Sequence, residues 1–265
     1  MNIIGQEKLV KILDSYTLQN MPRALLFLGQ SGCGKTYFAH YLAEKLGLET
    51  VDIDSKTTSQ QLIEYSQCPI EKLYLIDLCE IDEKQQNKFL KFIEEPSSTT
   101  YIVAMAESEI GILPTILNRC QKHYFETYTI EQLQTLSWVT TSTNELTYKL
   151  CTTPGQLLEL ADVDIDKLYR FCYSVITEMH RANYANAISI YTKVNCKDSY
   201  DKFDFKLFLK TLTYVAFEVY IKENNEFSFN VYKYLIEKQA EMLNKSLAKE
   251  NCLINILDHI WRLAH

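Results

Sequence analysis

The first 125 residues alternate short strand-like runs with segments whose apolar positions recur every three or four residues. The runs are ALLFL (24–28), ETVDI (49–53), KLYLI (72–76), TYIVAMA (100–106) and KHYF (122–125). Several of them lack polar alternation, as strands covered on both faces do. Between them EKLVKILDSY, TYFAHYLAEKL and EKQQNKFLKFIEE carry the spacing of amphipathic helices. The alternation predicts one α/β domain built on a parallel sheet with helices packed over it.

Past Phe125 the pattern turns helical, which places a change of architecture near residue 126. Thr129 with Gln132, and Thr153 with Pro154 and Gln156, match helix starts in which a hydroxyl accepts a backbone N–H and the residue three on reaches back. They predict a small helical unit over 126–163. From Asp164 onward the helical patterns are longer. Phe205, Phe208, Leu209, Leu212, Val215, Ala216 and Val219 form one apolar stripe, and Leu253, Ile256, Leu257 and Ile260 form another. The polar stretches NCKDSYDKFD (195–204) and KENNEFS (222–228) are the expected breaks in this third, all-helical part, 164–265.

Composition narrows the picture. The chain of 265 residues is long enough for two or three compact units. A net charge of -7 and a pI near 5.4 argue against a surface that tracks nucleic acid throughout, because that needs an excess of Lys and Arg over a whole face. Local contact with DNA stays open. Of the eight cysteines, the closest two, Cys68 and Cys79, are 11 residues apart, so no metal or redox spacing exists and buried free thiols are expected. No apolar run approaches the roughly 18 residues of a membrane span. A cytoplasmic chain with no membrane contact is expected.

The chemistry concentrates in residues 29–36, GQSGCGKT, which satisfy GxxxxGK[ST] between a strand-like run and a helical one. Gly29, Gly32 and Gly34 let the backbone turn tightly, so that the N–H groups of Gln30, Ser31, Cys33 and their neighbours face phosphate oxygens. Lys35 would place a point charge on the β and γ phosphates, and the Thr36 hydroxyl would hold magnesium. Neither Lys35 nor Thr36 is needed merely to make a turn. Asp77 closes the run LYLI at the strand end where parallel sheets gather their ligands, and it is the second candidate magnesium carboxylate. The expected cofactors are ATP and Mg2+.

Several segments together resemble the clamp-loader branch of the AAA+ ATPases, nearest in pattern to the delta-prime subunits of bacterial DNA polymerase III, bacterial or phage-encoded. They are IIGQEKLVKIL (3–13), MPRALLFLGQSGCGKT (21–36), NKFLKFIEEPSSTTYIVAMAES (87–108) and ILPTILNRC (112–120), with a weaker match at TTPGQLLEL (152–160). The resemblance implies an AAA+ nucleotide-binding domain over 1–125, a helical lid over 126–163 and a helical collar over 164–265. It adds Ile4 and Gly5 to the nucleotide-binding set. It implies a ring with other clamp-loader subunits, a sliding clamp and primer-template DNA as partners. It also implies that Arg119, in NRC where the family has SRC, reaches as an arginine finger into the site of a neighbouring subunit, a role worth about a thousandfold or more in turnover.

The departures from that family pattern bear on activity. Leu78 stands where active members carry a glutamate that polarises water, Ala106 stands near a polar sensing position, and TPGQ offers no lid arginine. A missing general base costs about 10² to 10⁴ in rate. The expected behaviour is ATP binding with little or no hydrolysis. Glu80 or Asp82 is the alternative base, although Asp82 with Gln85 makes a helix-start pair. Two other readings stay open: a motor-type clamp-loader or AAA+ replication ATPase that hydrolyses ATP itself, and an unrelated P-loop nucleotide kinase, for which the region after residue 126 offers few arginines. Lys84, Lys88 and Lys91, at i, i+4 and i+7, are a candidate row for DNA phosphates or a plain solvated face.

Overall fold

A computed structural model describes residues 4–136, 145–181, 205–243 and 249–265. The chain divides into two compact units, one of Met1–Thr141 with Cys151–Leu158, the other of Ser142–Leu150 with Glu159–His265.

The first unit is built on five parallel strands, β1 (Ala24–Leu28), β2 (Glu49–Ile53), β3 (Lys72–Asp77), β4 (Thr100–Ala106) and β5 (Gln121–Tyr124), in the order β2-β3-β4-β1-β5. The expected runs became the strands, within one residue at the ends. Every residue of β1 and β4 is buried, as central strands with helices on both faces require. The edge strands β2 and β5 each carry exposed and half-buried positions. Helix α1 (Glu7–Ser15) precedes β1, and α2 (Lys35–Leu46) follows the glycine-rich loop and ends on Gly47 in the left-handed region. Helix α3 (Ser59–Ser66) was not among the expected helices. It begins on a complete capping box between Thr58 and Gln61.

The expected helix over EKQQNKFLKFIEE is not one regular helix. It runs as α4 (Glu83–Gln86), a 3₁₀ turn (Asn87–Phe89) and α5 (Leu90–Glu94). Gln86, Phe89 and Phe92, spaced by threes, are all buried. A turn of three residues keeps such positions on one face, where regular α winding would rotate them apart. Asp82 caps α4 through Gln85, as the pattern predicts. The overwinding also undoes the lysine row, since Lys88 Nζ donates to the carbonyls of Ser55 (3.0 Å) and Thr57 (2.9 Å) and holds the loop before α3. Helix α6 (Pro114–Arg119), with Pro at its first position, leads into β5, and α7 (Ile130–Gln134) starts on the predicted Thr129–Gln132 box.

The second unit contains α8 (Glu145–Leu150), α10 (Ile165–Arg181), α11 (Phe205–Glu223), α12 (Glu226–Leu243) and α13 (Lys249–Ala264). Helix α9 (Pro154–Glu159) opens within the first unit. The whole stripe from Phe205 to Val219 is buried and packs with Leu168, Cys172, Val175 and Ile176 of α10 and with Ile256, Leu257 and Ile260 of α13. Leu253, the first residue of the other predicted stripe, has its side chain outside the described set. The break expected in KENNEFS falls at Asn224, whose φ of +47° ends α11. The break expected over 195–204 lies outside the described residues.

Candidate functional site

The carboxyl edge of the sheet gathers the predicted nucleotide residues. The loop from Gly29 to Gly34 follows β1 directly, and Gly29 N–H donates to the Ala106 carbonyl at the end of β4 (3.1 Å). Gly32 and Gly34 sit at φ +74° and +102°, where any other L residue is strained. Gly34 is the N-cap of α2, so the helix N-terminus opens at the loop. Lys35 Nζ donates to the carbonyls of Gly29 (2.7 Å) and Gln30 (3.1 Å), which holds the ammonium at the mouth of the loop. Thr36 Oγ1 lies 3.7 Å from Met105 Sδ, and Met105 is the register partner of Asp77. Thr36 and Asp77 thus occupy the same sheet edge.

Asp77 is exposed, and its Oδ1 accepts the Cys79 N–H (3.0 Å), capping the 3₁₀ turn Leu78–Glu80. Desolvation, followed by the neighbouring Asp77 charge, pushes the Cys79 thiol up to about 11. Leu78 is 4% exposed and packs with Ile81, Phe89, Ile116 and Ala106 in the core on one face of the sheet. Its place in the chain is therefore filled by a packing residue. The Glu80 side chain lies outside the described set. Ala106 is buried in the same core, with its carbonyl engaged by Gly29.

Two contacts of this loop were not anticipated from the sequence. The segment Thr152–Gln156, expected to start a helix of the lid, lies across the loop. Thr152 Oγ1 donates to Gln30 Oε1 (2.6 Å), Thr153 Oγ1 to the Ser31 carbonyl (2.9 Å), and Gly155 N–H to the Gly32 carbonyl (2.9 Å). A Cβ on Gly155 would lie 2.4 Å from Gly32 Cα, so only glycine permits this approach. The second contact is Tyr128, whose hydroxyl donates to the Cys33 carbonyl (3.3 Å) and whose ring packs on Gly5. Gln6, 3% exposed, exchanges two hydrogen bonds with the backbone of Glu126, so the stretch holding Ile4 and Gly5 is tied to the strand end beside the loop. Gly32 and Gly155 are far apart in the sequence and carry no local signal of their pairing.

Arg119 lies at the other edge. It ends α6, two residues before the start of β5, and β5 runs parallel to β1 with Gln121 opposite Leu25. The loop follows the far end of β1, roughly 16 Å away along a five-residue strand. Arg119 is 58% exposed, with its Nε 3.9 Å from Glu94 Oε1 at the end of α5. Its helix is set in place by Gln86, which was not singled out in the sequence. That buried side chain donates to the carbonyls of Gly111 (2.8 Å) and Ile81 (3.3 Å) and accepts the Leu113 N–H (2.9 Å) at the start of α6. Cys120, next to Arg119, turns into the core, where burial pushes its thiol up to about 11.

A sequence profile of the family described as "DNA polymerase III, delta subunit" matches residues 56–129. Among curated proteins none matches the chain in sequence. Among solved structures, a DNA polymerase III gamma subunit-related protein from Thermotoga maritima is 14% identical, with a TM-score of 0.53 over 98% of this chain and 99% of that one. A RuvB variant from the same organism is 17% identical over 66% of this chain and 64% of that one, with a TM-score of 0.48. The T. maritima RuvB Holliday junction branch migration motor is 14% identical over 75% of this chain and 85% of that one, at 0.49. No helix among the described residues is long and apolar enough to cross a membrane. The profile match covers Asp77, Leu78 and Arg119 and leaves out the phosphate loop, which the sheet order places where nucleotide-binding α/β folds carry it. Over residues 56–129 the chain is thus similar to DNA polymerase III delta-subunit sequences, and over nearly its whole length it shares the fold of a DNA polymerase III gamma subunit-related protein.

Proposed function

We propose that the chain is a subunit of a DNA-replication clamp loader that binds ATP with magnesium, hydrolyses it poorly or not at all, and donates Arg119 to the nucleotide site of a neighbouring subunit. The observation that carries this reading is the separation of the two sheet edges. Arg119 stands at the edge opposite its own loop, so a nucleotide it meets would be one held by another chain.

The residues at the carboxyl edge fit ATP and magnesium. The glycine conformations of the loop are intact, Lys35 already sits at its mouth, and Thr36 and Asp77 share one strand edge. When bound, ATP would bring the polyphosphate charge that these groups suit. Gly29, Gln30, Ser31, Gly32, Cys33 and Gly34 would line it, Lys35 would balance it, Thr36 and Asp77 would hold the metal, and Ile4 and Gly5 would border the site. Leu78 offers no atom that accepts a proton, and its burial leaves no room for one. The proposed organisation is a nucleotide-binding part over 1–125, a lid over 126–163 and a collar over 164–265 that closes a ring. Its partners are the other loader subunits, a sliding clamp and primer-template DNA, in the cytoplasm.

Co-expression with candidate loader subunits and a clamp, followed by purification and ATPase assay, tests this. The expected result is a hetero-oligomer that hydrolyses ATP while the isolated chain binds nucleotide without turnover. A chain that forms no complex, or that hydrolyses ATP alone with Lys35→Ala abolishing the activity, would overturn it.

A further inference from the structure

The amino edge of the sheet holds a cavity of about 330 Å³ beside Arg119, lined also by Arg23, Glu94, Gln121, Pro22 and Pro96. Arg23 immediately precedes β1 as the phosphate loop immediately follows it. The two therefore stand at opposite ends of one strand, and the cavity faces away from the chain's own nucleotide loop.

Arg23 differs from an ordinary surface arginine in two respects. Its guanidinium carbon lies 4.3 Å from the centroid of the Tyr101 ring, and that ring is fully buried, with its hydroxyl donating to the Leu18 carbonyl (2.8 Å). The guanidinium is thereby held over a fixed support. One of its terminal nitrogens, Nη1, is also buried with no hydrogen-bond acceptor among the described residues, and the polar group that the guanidinium reaches is the neutral Tyr101 hydroxyl. Buried guanidinium donors are ordinarily met by carboxylate or phosphate oxygens, because an unmet charged donor is costly. Glu94 is the one carboxylate in the lining. It stands toward Arg119, at 3.9 Å, so the lining carries two guanidinium groups against one carboxylate. The Gln121 amide nitrogen is engaged by the Tyr16 hydroxyl (3.0 Å).

We propose that Arg23 and Arg119 form one oxyanion site that takes a phosphate group, Arg23 as the fixed donor and Arg119 as the movable one that leaves Glu94 to close on it. The site deepens the trans-arginine reading, and rests on it only for the source of the phosphate, which would be a nucleotide held by the neighbouring subunit. Binding of a free phosphate compound to the isolated chain does not depend on it.

The chain has five arginines, Arg23, Arg119, Arg170, Arg181 and Arg262, so their side-chain Nε–Hε resonances can be resolved by NMR. Inorganic triphosphate is titrated into the full chain carrying Lys35→Ala, which disables the chain's own loop. The expected result is that the Arg23 and Arg119 resonances move along one saturating curve while the other three stay in place, and that Arg23→Gln weakens binding about tenfold. Movement of Arg119 alone with unchanged affinity in Arg23→Gln, or a non-saturating drift of all five, would overturn the proposal. Should Arg23→Gln fold poorly, the titration of the parent protein decides by itself. In the assembled loader, Arg23→Gln is expected to lower turnover with little change in KM. Saturable triphosphate binding without that loss keeps the site and rejects the neighbour's nucleotide as its source.

Discussion

The two ends of β1 present opposite chemistry on one rigid strand. At its carboxyl end a glycine-rich loop, a helix N-terminus and Lys35 suit a phosphate, and Leu78 supplies no proton acceptor at its own position. At its amino end Arg23 and Arg119 offer positive charge with no loop to hold a nucleotide. Each edge has what the other lacks, and a fully buried strand keeps them from meeting. On the proposed reading the difference divides catalysis between chains, with half a site at each edge.

The comparison is broken most severely by giving the phosphate edge the missing carboxylate. Leu78→Glu puts an unpaired charge into the core of Ile81, Phe89 and Ile116, and a loss on the order of 3 kcal/mol is expected in denaturant titration, with no ATP turnover gained. A variant that kept its stability and hydrolysed ATP alone would show that the carboxyl edge lacks only this one group.

The arginine edge is loosened selectively by Gln86→Leu. It leaves the carbonyls of Ile81 and Gly111 and the N–H of Leu113 without their side-chain partner, for about 1–3 kcal/mol of stability. Because Gln86 anchors α6, turnover of the assembly should fall while nucleotide affinity of the isolated chain holds. Equal losses in both would mean that the edges are coupled more closely than their separation suggests.

Gly155→Ala probes the other edge. The added methyl meets the Gly32 backbone, so the segment Thr152–Gln156 must shift off the loop, at about 1–2 kcal/mol. Nucleotide affinity is expected to change, and calorimetry with ATP would show it, while triphosphate titration at the Arg23–Arg119 cavity should be unaffected.

Much of this was legible in the chain. Central strands in a parallel sheet are covered on both faces, so ALLFL and TYIVAMA stand out as continuous apolar runs, and Lys35 with Thr36 marks the loop because turns do not need them. The Leu78 departure was readable for the same reason, as a residue type at a fixed place. What stayed hidden depends on approach through space. Gly155 meets Gly32 across more than a hundred residues, and Arg23 lies on Tyr101 with three strands between them in sequence. The 3₁₀ turn at Asn87–Phe89 escaped because α and 3₁₀ spacing differ by little over two turns. Thr58 with Gln61 is a capping box visible in the sequence, but the short helix it starts buries only Leu62 and carries no long apolar stripe.

The smallest expected effect concerns His123, on β5 between the two edges. It is 5% exposed, bonded to the Tyr16 hydroxyl (3.0 Å), and burial lowers its pKa from the ordinary 6.5. A lowered folded-state pKa means that the unfolded chain takes up the proton first as pH falls. The contribution is therefore present above pH 6.5 and is lost below it, with a slope of at most about 1.4 kcal/mol per pH unit until the folded form also protonates. His123→Gln should flatten the stability profile below that pH, by thermal or urea unfolding, without altering nucleotide binding.

The division of the site is tested most directly by crossing two substitutions with two readouts. Lys35→Ala and Arg119→Ala are each placed in this chain, and nucleotide affinity of the isolated chain and ATP turnover of the assembled loader are measured for both. The account predicts that Lys35→Ala removes nucleotide binding by this chain and leaves most of the assembly's turnover, while Arg119→Ala leaves binding intact and lowers turnover about a thousandfold. Turnover that falls with Lys35→Ala and is untouched by Arg119→Ala would contradict it.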